Sequence, residues 1–367
     1  MSKIIRVDKP VRQAVLELFR YLLKEEKVKG VFSLGRIGNE DMVSYFLYTD
    51  PESIDDALPF YPLMPVNAAK ALSRFSLLEP SPEPVAAIVR PCEERAFVEL
   101  VKRHQGSLEN LLLIGFTCSG VFPLEMAVEG NIEAKLPAYW ESAKKAEIPE
   151  EIRPSCQTCT RFVPVNADIT IPFTGRNTDN ECEFILNTTE AETYLEGFGE
   201  LHDGEPDAGE LTPLLEKRKA ERKKYFEDLN FSSLDLSGLV KIFGRCLSCY
   251  NCREVCPICY CNLCEFVGQD FEVKPVSYQT LLDQKGGCRL PPNTLLFHLG
   301  RMIHMAYSCV GCGMCTDVCP ADIPVSAMFS YTGEGLQDLF DYVPGKSLFD
   351  EPPLMKFERE ELAGIAE

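Results

Sequence analysis

The sequence predicts two unlike halves, an α/β domain followed by a small cysteine-rich α+β domain. Three observations carry this. Short β-branched or aromatic runs alternate with amphipathic stretches through residues 1–200. The chain holds 17 cysteines, and seven of them fall in CLSCYNCREVCPICYCNLC, residues 246–264. Finally, the run Cys246-Leu-Ser-Cys249-Tyr-Asn-Cys252-Arg-Glu-Val-Cys256-Pro257 recurs as Cys309-Val-Gly-Cys312-Gly-Met-Cys315-Thr-Asp-Val-Cys319-Pro320.

In chain order, Pro10 stands where a helix can begin, and VRQAVLELFRYLLKEE follows with helical spacing. GVFSL and MVSYFLY are strand-like, NAAKALSRF helical, PVAAIV a buried strand, CEERAFVELVKRH a helix and NLLLIGF a second buried strand. ADITIPF, CEFILNT and AETYLEGFGEL continue the alternation. The boundaries expected are an α/β domain over 1–200, an acidic linker and charged helix over 201–236, a cysteine-rich domain over 237–335 and an acidic tail over 336–367. EKRKAERKKYFEDL is expected to be a solvated helix, and the tail to wrap or stay mobile.

A net charge of −19 and a pI near 4.8 leave no basic stripe for nucleic acid or an anionic membrane surface. No apolar run approaches the ~20 residues of a membrane span, and the start has no signal-peptide pattern, so a cytoplasmic protein without membrane insertion is expected. In a reducing compartment clustered cysteines read as metal ligands or redox groups, and an odd count argues against a fully paired disulfide framework.

Both copies of the repeated run match C-x2-C-x2-C-x3-C-P, the dicluster ferredoxin pattern. Three thiolates on a tight loop reach three irons of one [4Fe-4S] cubane, and the fourth cysteine points to the other cluster. Cys246, Cys249, Cys252 and Cys319 are therefore expected to hold one cluster, and Cys309, Cys312, Cys315 and Cys256 the second. Zinc knuckles, built from two C-x2-C pairs or Cys/His sets, explain such a double run poorly. Cys259, Cys261 and Cys264 are surplus, either packing residues or ligands to another metal; Cys182 and Cys288 read as packing.

Four further cysteines sit at the ends of expected elements. Cys92 opens a helix after Arg90-Pro91, Cys118 ends NLLLIGF, and Cys156 and Cys159 form a C-x2-C loop. A helix N-terminus is expected to lower the Cys92 thiol pKa. Neighbouring parallel strands can bring Cys92 and Cys118 together at their C-terminal ends, and the loop can close the site. Zinc, a redox pair and unrelated buried thiols remain open from the residues alone. His298 and His304, in LLFHLGRMIHMAY, read as packed and hydrogen-bonded, with Arg301 and His304 the alternatives for tuning a nearby cluster.

Arg90-Pro91-Cys92-Glu93, Ile114-Gly115-Phe116-Thr117-Cys118 and Cys156-Gln157-Thr158-Cys159 followed by Ala167-Asp168-Ile169 resemble the beta subunits of coenzyme F-420 hydrogenases and formate dehydrogenases. HLGRMIHMAYSCVGCGMCTDVCPADIPV resembles the ferredoxin end of the formate dehydrogenase branch. Cys256-Pro257-Ile258-Cys259-Tyr260-Cys261 is similar, more distantly, to sulfhydrogenase and anaerobic sulfite reductase beta subunits. The resemblance implies an electron-transfer subunit working with catalytic oxidoreductase subunits in a hetero-oligomer, of formate dehydrogenase, hydrogenase or heterodisulfide-reductase type. It implies a third [4Fe-4S] cluster on Cys92, Cys118, Cys156 and Cys159. It also implies FAD beside that cluster, near Asp168, Thr174 and Gly175, exchanging hydride with a deazaflavin or nicotinamide coenzyme. Where the family tends to carry a glycine-rich turn, this chain has Thr170-Ile171-Pro172-Phe173-Thr174-Gly175. A flavin-free wiring subunit is the alternative.

Overall fold

The computed structural model describes residues 2–38, 42–204, 211–268, 274–288, 290–291 and 293–355. Most of the acidic 202–212 stretch and the end of the acidic tail lie outside the described residues.

The first half is built as β1 (Ser2–Val7), α1 (Val11–Lys24), β2 (Gly30–Arg36), β3 (Val43–Tyr48), α2 (Ala68–Phe75), β4 (Val85–Val89), α3 (Pro91–Val101), β5 (Leu111–Phe116), α4 (Leu124–Val128), α5 (Ile132–Lys144), α6 (Pro154–Gln157), β6 (Ile169–Ile171), β7 (Cys182–Leu186), α7 (Thr189–Tyr194) and β8 (Leu201–Gly204). The strands form one mixed sheet in the order β3-β2-β4-β5-β6-β7-β1-β8. Its centre, β2-β4-β5-β6, is parallel, and the flanking pairings are antiparallel. The central strands β4 and β5 are buried along almost their whole length, as both faces of the sheet are covered.

Each helix start has a local cause. Pro10 precedes α1, whose apolar positions Val15, Leu18, Phe19 and Leu22 turn into the core. Asn67 caps α2 by accepting from the Ala69 N–H. Pro91 opens α3, and Glu93 reaches back to the Arg90 N–H.

The second half is α8 (Thr212–Asp228), α9 (Leu236–Phe243), α10 (Asn251–Glu254), α11 (Pro275–Lys285), α12 (Thr294–Met305), α13 (Met314–Asp317) and α14 (Val325–Leu339). Among the described residues no strand lies beyond β8, so the α+β expectation for this half is corrected to helices and loops. Each cysteine run is a loop closed by a single helical turn, α10 or α13, and the chain between and after the runs forms α11, α12 and α14.

One further expectation changes, and the described tail takes one of its two expected forms. Helix α8 is not wholly solvated, since Leu214 and Arg218 are buried. The described part of the tail is wrapped rather than loose. Tyr342 is buried, and its hydroxyl donates to Glu99 on α3, as does the Gly345 N–H at 2.8 Å. The two halves are joined by buried polar links: Arg153 to Asp317 at 2.6 Å, Arg95 to the Val310 carbonyl at 2.8 Å, and Arg103 to Ser308. No helix among the described residues is long and apolar enough to cross a membrane.

Candidate functional site

The parallel register β4–β5 sets Val89 beside Gly115, so the chain leaves both strands at the same edge of the sheet. Cys92 follows one strand end and Cys118 the other. Cys156 and Cys159 arrive on α6 and the loop after it, and all four thiols line one cavity. Gly120, with φ +116°, lets the chain pass under this loop: a Cβ there would sit 2.6 Å from Ile152.

The expected lowering of the Cys92 thiol is overturned. Burial, then Glu93 and the neighbouring cysteines, push it well up, and burial raises Cys118 to about 12. A buried thiolate without a cation is costlier than the short α3 dipole can offset. Positive charge delivered among these thiols, as a metal cluster would deliver it, favours their ionised form.

The same cavity is closed by Arg218. Its guanidinium donates to the Ser119 carbonyl at 2.8 Å and stacks 4.5 Å from the Phe162 ring, and its Nε is buried without a partner among the described residues. Nothing in the charged pattern of α8 marks this residue, because its neighbours in sequence are solvated.

The repeated runs are also gathered. Cys246, Cys249, Cys252 and Cys319 line one small cavity, with Phe297 and His298 on its wall. Burial raises Cys252 to about 11, against the pull of Arg301, which donates to its sulfur at 3.1 Å. Cys309, Cys312 and Cys315 are neighbours on the second loop, where burial is the main cause raising each thiol. Cys256 packs beside Cys259 and 3.9 Å from the Met305 sulfur, within the field of Arg301, which also reaches Cys315. Gly311 and Cys312 line the cavity of the first-domain thiols, and Cys315 lies within the field of Cys252. The three sets thus stand in sequence: first-domain set, Cys309 set, Cys246 set.

Of the surplus thiols, Cys259 is half-buried against Met305 and Arg301, Cys264 is half-buried, Cys261 is exposed, Cys182 is buried in β7 and Cys288 is partly exposed. His304 is exposed, leaving Arg301 as the residue at the thiols. His298 is packed, stacked 4.2 Å from Phe243, but both ring nitrogens lack hydrogen-bond partners among the described residues, and burial lowers its pKa to about 3.

The thiol sets fit iron–sulfur clusters on two counts. Four cysteines share each of two cavities, the ligand number a cubane takes. Buried guanidinium atoms of Arg218 and Arg301 lack partners beside them, as an anionic group there would require.

Gly313, φ +82°, brings the second loop onto the Cys156 loop: a Cβ there would collide with Ser155. Gly313→Ala is expected to cost the loaded chain about 2 kcal/mol or more through strain and loss of this contact, read as a lower thermal midpoint. Gly335→Ala, where a Cβ meets nothing within 4 Å, should leave the midpoint unchanged or slightly higher.

A groove of about 510 Å³ adjoins the first thiol cavity, sharing Arg161 and Phe162 with it. Thr170, Pro172, Thr174 and Arg176 line it, so Thr174 of the expected flavin positions faces it. Gly175, φ +78°, turns the chain beside it. Asp168 does not line the groove: its carboxylate accepts from the Leu113 N–H at 2.8 Å and the Thr188 hydroxyl at 2.9 Å, stitching β5 to the start of α7. A larger cavity of about 1140 Å³, walled by Phe60, Trp140 and Phe173, shares no residue with the thiol cavity.

Comparison with known proteins places these features. Residues 83–198 match the family described as the C terminus of the coenzyme F420 hydrogenase/dehydrogenase beta chain. The F420-dependent formate dehydrogenase subunit beta of Methanocaldococcus jannaschii is 29% identical over 94% of this chain and 94% of its own length. The chain is thus similar to these beta subunits, over residues 83–198 by the family match and over nearly its whole length by this relative. F420-dependent formate dehydrogenase 1 subunit beta of Methanococcus maripaludis is a further full-length relative, 27% identical over 93% of this chain and 92% of that protein. Sulfhydrogenase 2 subunit beta of Pyrococcus furiosus is 28% identical over 36% of this chain and 45% of its own. The family match covers Cys92, Cys118, Cys156 and Cys159.

Proposed function

We propose that this chain is the electron-transferring iron–sulfur and flavin subunit of a multisubunit oxidoreductase of the formate dehydrogenase, hydrogenase or heterodisulfide-reductase type. Its place is between a hydride-carrying deazaflavin or nicotinamide coenzyme and catalytic partner subunits. The observation that carries this reading is the row of three thiol sets, which begins at a groove in the domain that the beta-subunit family shares.

Cys92, Cys118, Cys156 and Cys159 are assigned to the first [4Fe-4S] cluster, Cys309, Cys312, Cys315 and Cys256 to the second, and Cys246, Cys249, Cys252 and Cys319 to the third. FAD is assigned to the groove at Thr174. Its volume of about 510 Å³ lies within the usual ligand-pocket range of about 300–1,000 Å³, and it adjoins the thiols, which the larger cavity does not. Bound together, a flavin exchanges a hydride for single electrons and iron–sulfur clusters carry them one at a time. The residues do the rest. Arg218 and Phe162 cover the first thiol set from water, Arg153 and Asp317 hold its loop against the second, and Arg301 holds the Cys252 sulfur.

The partial likeness to a sulfhydrogenase subunit supports a second reading, a flavin-free wiring subunit of a sulfhydrogenase or anaerobic sulfite reductase type. Gentle anaerobic purification of the tagged chain with its partners separates the two. The flavin reading expects about one FAD per chain after acid release, lost selectively in Thr174→Trp, with about twelve irons retained from the three assigned cubanes. Flavin accounted for entirely by other subunits would leave the wiring reading. A chain recovered alone that reduced an acceptor with formate or hydrogen would overturn both.

A further inference from the structure

A second, smaller cavity lies between the Cys156–Cys159 loop and the Cys309 loop, and no assignment above uses it. Its wall carries three guanidinium groups, Arg95, Arg161 and Arg222, with the hydroxyl-bearing Thr160 and Ser330, and no carboxylate. In a chain with 56 acidic and 37 basic residues this is the reverse of the composition.

Arg95 is 3% exposed. One of its terminal nitrogens donates to the Val310 carbonyl at 2.8 Å, while Nε and Nη1 have no partner among the described residues. Glu94, its neighbour in sequence, turns its carboxylate to the Val165 and Asn166 N–H groups instead. Among the described residues Arg161 donates to the neutral Gln337 side chain, at 3.2 Å. Arg222 pairs with the half-exposed Glu334 at 3.2 Å, outside the lining. Buried guanidinium donors without an acceptor are costly, so an anionic acceptor of matching geometry is the economical partner.

The cavity volume, about 50 Å³, sets the size. One water needs roughly 10–15 Å³ by this measure, so the space suits the three or four oxygens of one small oxyanion. The groove at Thr174 opens beside it and shares Arg95, Thr160 and Arg161.

We propose that Arg95, Arg161 and Arg222 form a binding site for a phosphate-type oxyanion, filled by free inorganic phosphate or by the phosphate of a dinucleotide seated in the adjoining groove. Only the second source rests on the flavin reading. Cys159 and Cys309 flank the site, so its occupancy and the charge on either thiol set influence each other reciprocally.

The test is calorimetric titration of the anaerobically purified complex with inorganic phosphate, before and after flavin release, with chloride at matched ionic strength as control. Saturable phosphate binding that chloride does not reproduce, weakened about tenfold or more in Arg161→Gln, is the result expected. Binding in both states identifies a free anion; binding only after flavin release identifies the cofactor's own phosphate. Arg222→Gln, half-buried one turn of α8 beyond Arg218, serves if Arg161→Gln loses iron. No saturable binding in either state, or undiminished affinity in the variants, would overturn the proposal and leave the arginines as counter-charges to the clusters. Flavin content, assayed separately, reports on the flavin reading whatever the phosphate result.

Discussion

Cys319→Ala will remove the cluster assigned to Cys246, Cys249 and Cys252 and spare the one on the cysteines of its own run. Cys319 lies close in sequence to Cys315, yet it lines the cavity of Cys246, Cys249 and Cys252. Cys312, just before the helical turn α13, lines the first-domain thiol cavity, and the chain leaves that turn with Cys319 lining the cavity of the Cys246 set. A cubane that loses one of four thiolates in a buried site is rarely retained, and alanine supplies no substitute oxygen as serine could. Anaerobic iron and sulfide analysis should fall from about twelve to about eight of each per chain. Electron paramagnetic resonance of the reduced protein should lose one signal and keep the interaction between the remaining two sets. Loss of the Cys309 set instead would show that the fourth ligands are not crossed.

Glu99→Ala will be among the most destabilising single changes in the chain. Glu99 is fully buried on α3 and accepts from Lys102 and Arg103, each at 2.7 Å. It also receives the Tyr342 hydroxyl and the Gly345 N–H, which tie the tail to the first domain. Removing the carboxylate strands two buried cations and frees the tail, a loss of about 3–5 kcal/mol. The denaturation midpoint of the full chain measures it, and Glu99→Gln should recover part by keeping an acceptor.

The same residue gives a pH dependence. Burial pushes Glu99 upward, but Arg103 and Lys102 outweigh it and the net shift is down. A carboxyl lowered on folding stabilises fully above its unfolded value of about 4.3, and that contribution is lost as pH falls through its lower folded value. Acid unfolding below about pH 4 should therefore be less steep in Glu99→Gln than in the parent chain. Identical acid limbs would place the linkage elsewhere.

The elements legible in the sequence are those whose burial leaves a local pattern. The runs PVAAIV and NLLLIGF form the central parallel strands β4 and β5, and VRQAVLELFRYLL forms α1, because full burial or a single buried face writes itself into apolar spacing. SKIIRV carries no such sign. It is a strand only because β7 and β8, far along the chain, pair with it on either side. Helices α4 and α5 are likewise unmarked; α5 is only partly buried and contains Pro137, so neither period nor composition announces it.

The cysteine spacing by itself pointed to thiolates as the ligand set and paired the two runs, since a repeated C-x2-C-x2-C-x3-C-P is the dicluster ferredoxin pattern. The expected element ends gathered the first-domain set, and the family resemblance added the expectation of a cluster on it. What only the tertiary structure decided is the arrangement. The parallel pairing of β4 with β5 sets Cys92 beside Cys118, and Gly313 lets the second loop approach Ser155, so that the Cys309 set stands next to the first-domain thiols and the Cys246 set lies beyond it. The buried arginines were invisible for the same reason. Arg218 and Arg95 occupy stretches whose neighbours give no sign of a site, and their role comes from groups contributed by distant segments, which no local period records.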